Sequence, residues 1–169
     1  MTPSLPPHAA QQARFSAPIL WIHGEALGPA NPALVAHPGR PAVFVFDAAL
    51  IEGAGPMARS GLSLKRLGFL YECLLDLPVT IRRGEVAAEV LTFARRHGAD
   101  GVVTTAAVDP RFGAIAQQIE ARLPLQVLPA EPFVEFEPED LQAADLRRFS
   151  RYWRRAEQLV WNRWSEHQL

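Results

Sequence analysis

The sequence predicts an α/β protein: a doubly wound, five-stranded parallel sheet with a C-terminal amphipathic helix. Three observations predict it. Short apolar runs occur without polar alternation, as in strands buried on both faces. Stretches with apolar residues at three- and four-residue spacing lie between them, the mark of amphipathic helices. The connections are short, which suits right-handed crossovers within one sheet. A chain of 169 residues, 49% apolar and 21% charged, is long enough for one full core with an appendage.

Residues 1–17 combine prolines with small polar residues and are expected to form a disordered arm. They lack a basic start followed by an apolar segment, so they do not read as a signal peptide. The α/β domain is expected over 18–136. "PILWIH" (18–23) reads as its first strand, broken at Gly24. After Gly28-Pro29 the chain restarts as a helix capped by Asn31, with Pro32 at the first helical position. "AVFVF" (42–46) is the second strand, and residues 53–61, "GAGPMARSG", form a glycine-rich loop. In "SLKRLGFLYECLLDL" Ser63 caps a helix whose inward stripe is Leu64, Leu67, Leu70/Tyr71 and Leu74. "VTI" (79–81) is the third strand. "EVAAEVLTFARRHGAD" follows as a helix with Val86, Val90, Phe93 and Ala94 inward, basic residues in its last turn and Gly98 as its stop. "GVVTT" (101–105) is the fourth strand. Asp109 caps the next helix, with Pro110 first and Phe112, Ile115, Ile119 and Leu123 inward. "LQVLP" (125–129) is the fifth strand.

From Glu131 the chain turns acidic and proline-containing, as a linker does, and residues 137–169 hold the rest of that linker and a helix. Leu146, Phe149, Trp153, Ala156, Val160 and Trp164 form the apolar stripe of that helix.

The net charge of -1 gives no global reason to expect nucleic acid or an anionic membrane as partner. No run reaches the roughly 18 apolar residues of a membrane span. The lone cysteine, Cys73, permits no internal disulfide and no cysteine-rich zinc site, and reads as inert packing in a reducing, cytoplasmic setting.

Four stretches together carry a family likeness. "ILWIHGEALGPANPAL", "AVFVFDAAL", "SLKRLGFLYECLLDL" (with Arg66 and Phe69) and "IRRGEVAAEVLTFARRHGADGVVTT" resemble the N-terminal α/β domain of the DNA photolyase/cryptochrome family. "RRFSRYWRRAE" is similar to the passage into that family's helical flavin domain. The resemblance implies an antenna-type domain that binds a light-harvesting chromophore such as FMN, a deazaflavin, a folate or a lumazine. It also implies that the FAD-binding catalytic half lies outside this sequence, so FAD and catalysis by this chain alone are not expected. Family members carry a basic-basic-acidic trio and a further arginine after the first strand; here those positions are His23, Gly24, Glu25 and Leu27. A neutral imidazole and a glycine do not supply the two parallel hydrogen bonds of a guanidinium.

In an open parallel sheet, ligands bind beyond the carboxyl ends of the strands. The residues placed there are His23, Gly24 and Glu25, then Asp47, then Thr104 and Thr105, with Asp109, Arg111 and Phe112 opening the next helix. They are the candidate cofactor-binding set; the plainer alternative is that they finish strands and cap helices. There is no Gly-x-Gly-x-x-Gly and no phosphate-loop lysine, which weighs against a small nucleotide-handling enzyme. No second histidine has metal-ligand spacing to His23, so no metal site is expected.

The tail offers a separate surface. Arg147, Arg148, Arg151, Arg154 and Arg155, interleaved with Trp153 and followed by Trp161 and Trp164, can contact nucleic acid through charge and stacking. Equally, the aromatic face can pack on the domain, on a second copy, or on a separate helical flavin-binding partner. In that alternative the sheet is an empty scaffold and the helix carries the function.

Overall fold

The computed structural model describes residues 15–53, 61–130 and 148–166, with the side chains at 155 and 163–166 left out of the description. The chain divides into two compact units, Met1–Ala130 and Glu131–Leu169. The first holds a five-stranded, all-parallel sheet in the order β3-β2-β1-β4-β5. Its strands are β1 Ile19–Ile22, β2 Ala42–Asp47, β3 Thr80–Gly84, β4 Val102–Thr105 and β5 Leu125–Leu128. The helices are α1 Pro32–Ala36, α2 Ala48–Glu52, α3 Leu64–Leu75, α4 Val86–Arg96 and α5 Phe112–Glu120, and the second unit holds α6 Phe149–Glu166. The predicted fold class and all five strands are therefore present.

Successive residues of a strand point to opposite faces, and both faces here are apolar. Ile19, Trp21, Val43, Val45 and Val102 pack with Val86, Val90, Phe93 and Ile119 from α4 and α5. Leu20, Ile22, Phe44, Phe46 and Val103 pack on the other face with Ala33 of α1 and Leu70 and Leu74 of α3. That two-sided burial is why the central strands read as continuous apolar runs. β1 pairs with both β2 and β4. The chain therefore leaves β1 in one direction and returns on its other side, which makes the carboxyl end of β1 the topological switch point.

Caps fix several helix starts. Asn31 accepts from the N–H groups of Ala33 and Leu34, Ser63 from Arg66, and Glu85 from Ala87 and Ala88. Gly98 closes α4 with φ 60°, a left-handed conformation that glycine adopts without a Cβ clash.

Five details differ from expectation. β3 runs on through Arg82 and Arg83 to Gly84. It is an edge strand, where charged side chains are tolerated; Arg82 pairs with Glu89 and Arg83 with Glu52. α2 was not foreseen, because five residues are too few to show a period; Asp47 caps it and Gly53 ends it at φ 63°. α5 begins at Phe112 with Arg111 at the cap position, so Asp109 and Pro110 form the preceding turn instead of capping the helix. On α3 only Leu70 and Leu74 of the predicted stripe are buried; Leu64 is 85% exposed and Tyr71 49%. Finally, order begins before residue 18: Phe15 is buried in the core, and Ser16 and Ala17 are bonded to the Asp100 carboxylate. The first fourteen residues of the expected arm, residues 54–60 of the glycine-rich loop, and the expected linker at 131–147 lie outside the described residues.

In the second unit, α6 contains the predicted helix. Phe149 is 73% exposed and Ala156 buried, while Leu146 and Arg147 precede the described segment. Among the described residues no helix is long and apolar enough to cross a membrane.

Candidate ligand-binding crevice

A crevice opens at the carboxyl edge of the sheet, at the switch point. β1 brings Trp21 and Ile22 to it, and the chain beyond adds His23, Gly24 and Glu25. β2 brings Phe44, Phe46 and Asp47; α2 adds Leu50 and Ile51; α3 adds Arg66 and Leu70. The β4–α5 connection and the start of α5 close the far side with Asp109, Arg111 and Phe112. The cavity holds about 150 Å³. Sites that enclose a drug-sized ligand span roughly 300–1,000 Å³, so this cavity is smaller than one that encloses a whole ligand of that size.

Its wall is aromatic. The Trp21 and Phe112 rings stack with centroids 5.4 Å apart and planes 10° from parallel. His23 meets both edge-on, at 6.0 Å from Trp21 and 5.6 Å from Phe112. Phe44 and Phe46 form a second, T-shaped pair at 4.9 Å.

The polar groups are largely committed to one another. His23 Nε2 lies 2.7 Å from the Thr105 carbonyl oxygen. A carbonyl only accepts, so Nε2 carries the hydrogen; Nδ1 is then the acceptor for the Glu25 N–H at 3.4 Å. Both ring nitrogens therefore have a partner within the chain. The Glu25 carboxylate accepts from the Val108 and Asp109 N–H groups at 2.7 and 2.8 Å. It supplies, from within the chain, the anion that such a pair of amides attracts.

Arg111 is held between two carboxylates. Its guanidinium donates to Asp109 at 2.6 Å and to Asp47 at 2.9 Å. The hydrogen bond from Arg111 holds the Asp109 carboxyl below the usual carboxylate range, against the opposing effect of burial. The same bond raises Arg111 further. Asp47 also accepts from Ala49 N–H as the α2 cap, so the ion pair is tied to a helix start.

Of the nine residues predicted for this site, His23, Gly24, Glu25, Asp47, Asp109, Arg111 and Phe112 line the crevice. Thr104 and Thr105 do not. Both are buried, and their hydroxyls bond to the Trp21 carbonyl at 2.8 Å and to Asn31 at 3.4 Å. Thr104 braces β4 to β1, and Thr105 braces β4 to the loop that carries Asn31. Arg66, Phe44 and Phe46 line the crevice without having been picked out for it. Arg66 stands directly beside the inward stripe of α3, and that adjacency is the signal that could have placed it at a rim. Among the described residues no carboxylate pairs with its guanidinium.

The predicted nucleic-acid or partner surface lies on α6. Arg148, Arg151 and Arg154 are exposed, Trp161 is 55% exposed and Trp153 is half-buried. Phe149 and Trp153 stack at 5.8 Å. Arg155 and Trp164 belong to the helix, but their side chains are outside the described ones, as is all of Arg147.

Compared with known proteins, the sequence matches no protein-family model, and no curated protein sequence matches it.

Proposed function

We propose that this chain is a photolyase/cryptochrome-like α/β module that binds a nucleotide-like chromophore at the carboxyl edge of its sheet. One observation carries the reading: an aromatic-walled crevice lies at the topological switch point, with the exposed Arg66 in its lining. Phe112 is only half-buried over Trp21, so ring area remains for a flat heteroaromatic ligand such as FMN, a deazaflavin, a folate or a lumazine. Arg66 then meets the ligand's anionic group, because Glu25 already fills the amides after β4. Binding, not turnover, is the role the site supports: His23 has both nitrogens engaged and Arg111 is clamped between carboxylates.

Equilibrium dialysis with FMN and a folate tests this. Saturable binding of one of them is expected. Phe112→Ala and Arg66→Ala should each weaken it about tenfold or more, the scale of a lost ring contact or charge-assisted bond. Val35→Ala, on exposed α1 surface, should leave it unchanged. No saturable binding of either compound, or binding indifferent to both crevice variants, counts against the reading.

A second reading rests on α6, where Phe149 and Trp161 are more than half exposed beside exposed arginines. It makes this helix a contact for a partner protein or single-stranded nucleic acid. Salt-dependent retention of an oligonucleotide, weakened by Arg151→Ala, would distinguish the latter.

A further inference from the structure

Helix α3 carries two apolar stripes. Leu67, Leu70 and Leu74 face the sheet. The other stripe is Leu64, Gly68, Tyr71 and Leu75, spaced four, three and four residues apart, and all four are exposed. Leu64 is 85%, Tyr71 49% and Leu75 62% exposed, which is a dense apolar surface for one helix of twelve residues. Four-three-four is the spacing of a coiled-coil seam, and the outer stripe adds to the inner one without sharing a residue with it.

The stripe is self-complementary. If two α3 helices lie antiparallel about a twofold axis near residues 69–70, Leu64 of one meets Leu75 of the other. Gly68 then faces Tyr71: the large ring meets the position with no side chain. A Cβ at Gly68 would meet nothing within 4 Å in the monomer, so the gap is open on the outside. Charge follows the same symmetry. Lys65 and Glu72 flank the seam on its solvent side, both exposed and without an ion pair among the described residues. In the antiparallel arrangement Lys65 and the Glu72 of the other copy lie on the same flank, two residues or about 3 Å out of level and within reach of their long side chains, giving two equivalent pairs. On the opposite flank of α3 a shallow, mostly apolar groove, lined by Phe46, Ile51 and Ile81 and by Arg82 and Arg83, extends the surface.

We infer that the outer face of α3 is a twofold interface with a second copy of this chain, built on the Leu64–Gly68–Tyr71–Leu75 seam and the Lys65–Glu72 cross pairs. The seam residues do not line the crevice, although the groove beside them shares Phe46 and Ile51 with it. A single helix and its groove wall form a small contact, so association is expected in the micromolar range and not as an obligate dimer.

Sedimentation velocity of the full chain from low to high micromolar concentration tests it. A monomer–dimer equilibrium is expected. Lys65→Glu and Glu72→Lys should each weaken dimerisation about tenfold, and the double charge swap should restore most of it, as a pairwise coupling requires. Gly68→Arg should give a monomer throughout, with circular dichroism unchanged because the site is open in the monomer. A monomer at every concentration overturns the inference. So does a dimer that Lys65→Glu and Gly68→Arg leave intact, or a charge swap that restores nothing.

Discussion

Asn31 ties the first loop to the fourth strand. Its amide donates to the Ala26 carbonyl at 2.8 Å, and its Oδ1 accepts from Ala33 N–H at 2.8 Å and Thr105 Oγ1 at 3.4 Å. The residue is 4% exposed, so each lost bond leaves a partner away from water. Asn31→Ala should lower unfolding free energy by about 1–3 kcal/mol, read from urea melts. Asn31→Asp, which keeps the cap and loses the donor, should fall between it and the parent. The cap was legible in the sequence from Asn-Pro before an apolar run. The brace to Thr105 was not, since it joins residues 74 apart.

Asp109 and Asp100 link stability to acid pH. Hydrogen bonds from Arg111 hold the Asp109 carboxyl low, and those from Ser16 and Ala17 do the same for Asp100. An unfolded aspartate titrates near 3.9. Between that value and the lower folded ones the unfolded chain binds the protons, so stability rises with pH in that window. The contribution is full above it and is lost as pH falls through the folded values. Asp109→Asn should therefore flatten the acid limb of a plot of urea midpoint against pH. A limb of unchanged slope would show that Asp109 is not linked to folding.

At the scale of elements, the edge and centre of the sheet were legible to different degrees. β1, β2 and β4 are apolar on both faces, so burial alone writes them into the sequence. β3 carries Arg82 and Arg83 because its outer side has no neighbouring strand, and it read as a short strand followed by a turn. Helix α4 showed its carboxyl end, through Gly98 and the arginines of its last turn. Its cap is less ordinary: Glu85 accepts from Ala87 and Ala88 at 3.1 and 2.6 Å. Glu85→Ala should cost about 1 kcal/mol, the usual worth of a side-chain cap. The amino end of the fold is held by shape. A Cβ on Gly101 would lie 2.5 Å from the Phe15 ring, so Gly101→Ala must displace that ring and should lower the melting temperature. Phe15→Ala in the same chain should relieve the clash, and the two losses should not add.

For the whole molecule, alternation of strands and helices predicted a doubly wound parallel sheet, and the observed strand order places the candidate crevice. Seven of the nine predicted residues meet at one crevice because the loops after β1, β2 and β4 converge there. What the sequence did not disclose is how these residues spend their polar atoms. His23, Glu25, Asp47, Asp109 and Arg111 bond to one another and to backbone, which leaves the aromatic wall and Arg66 as the groups open to the proposed ligand. The central claim is that this wall receives a flat chromophore. Its most direct test is the absorption spectrum of the protein after incubation with FMN, a deazaflavin, a folate and a lumazine in turn, followed by gel filtration. The account predicts that one chromophore co-elutes with a shifted near-ultraviolet or visible band, and that Phe112→Ala abolishes the shift. A protein that elutes without any of the four, or a band that survives Phe112→Ala unchanged, contradicts it.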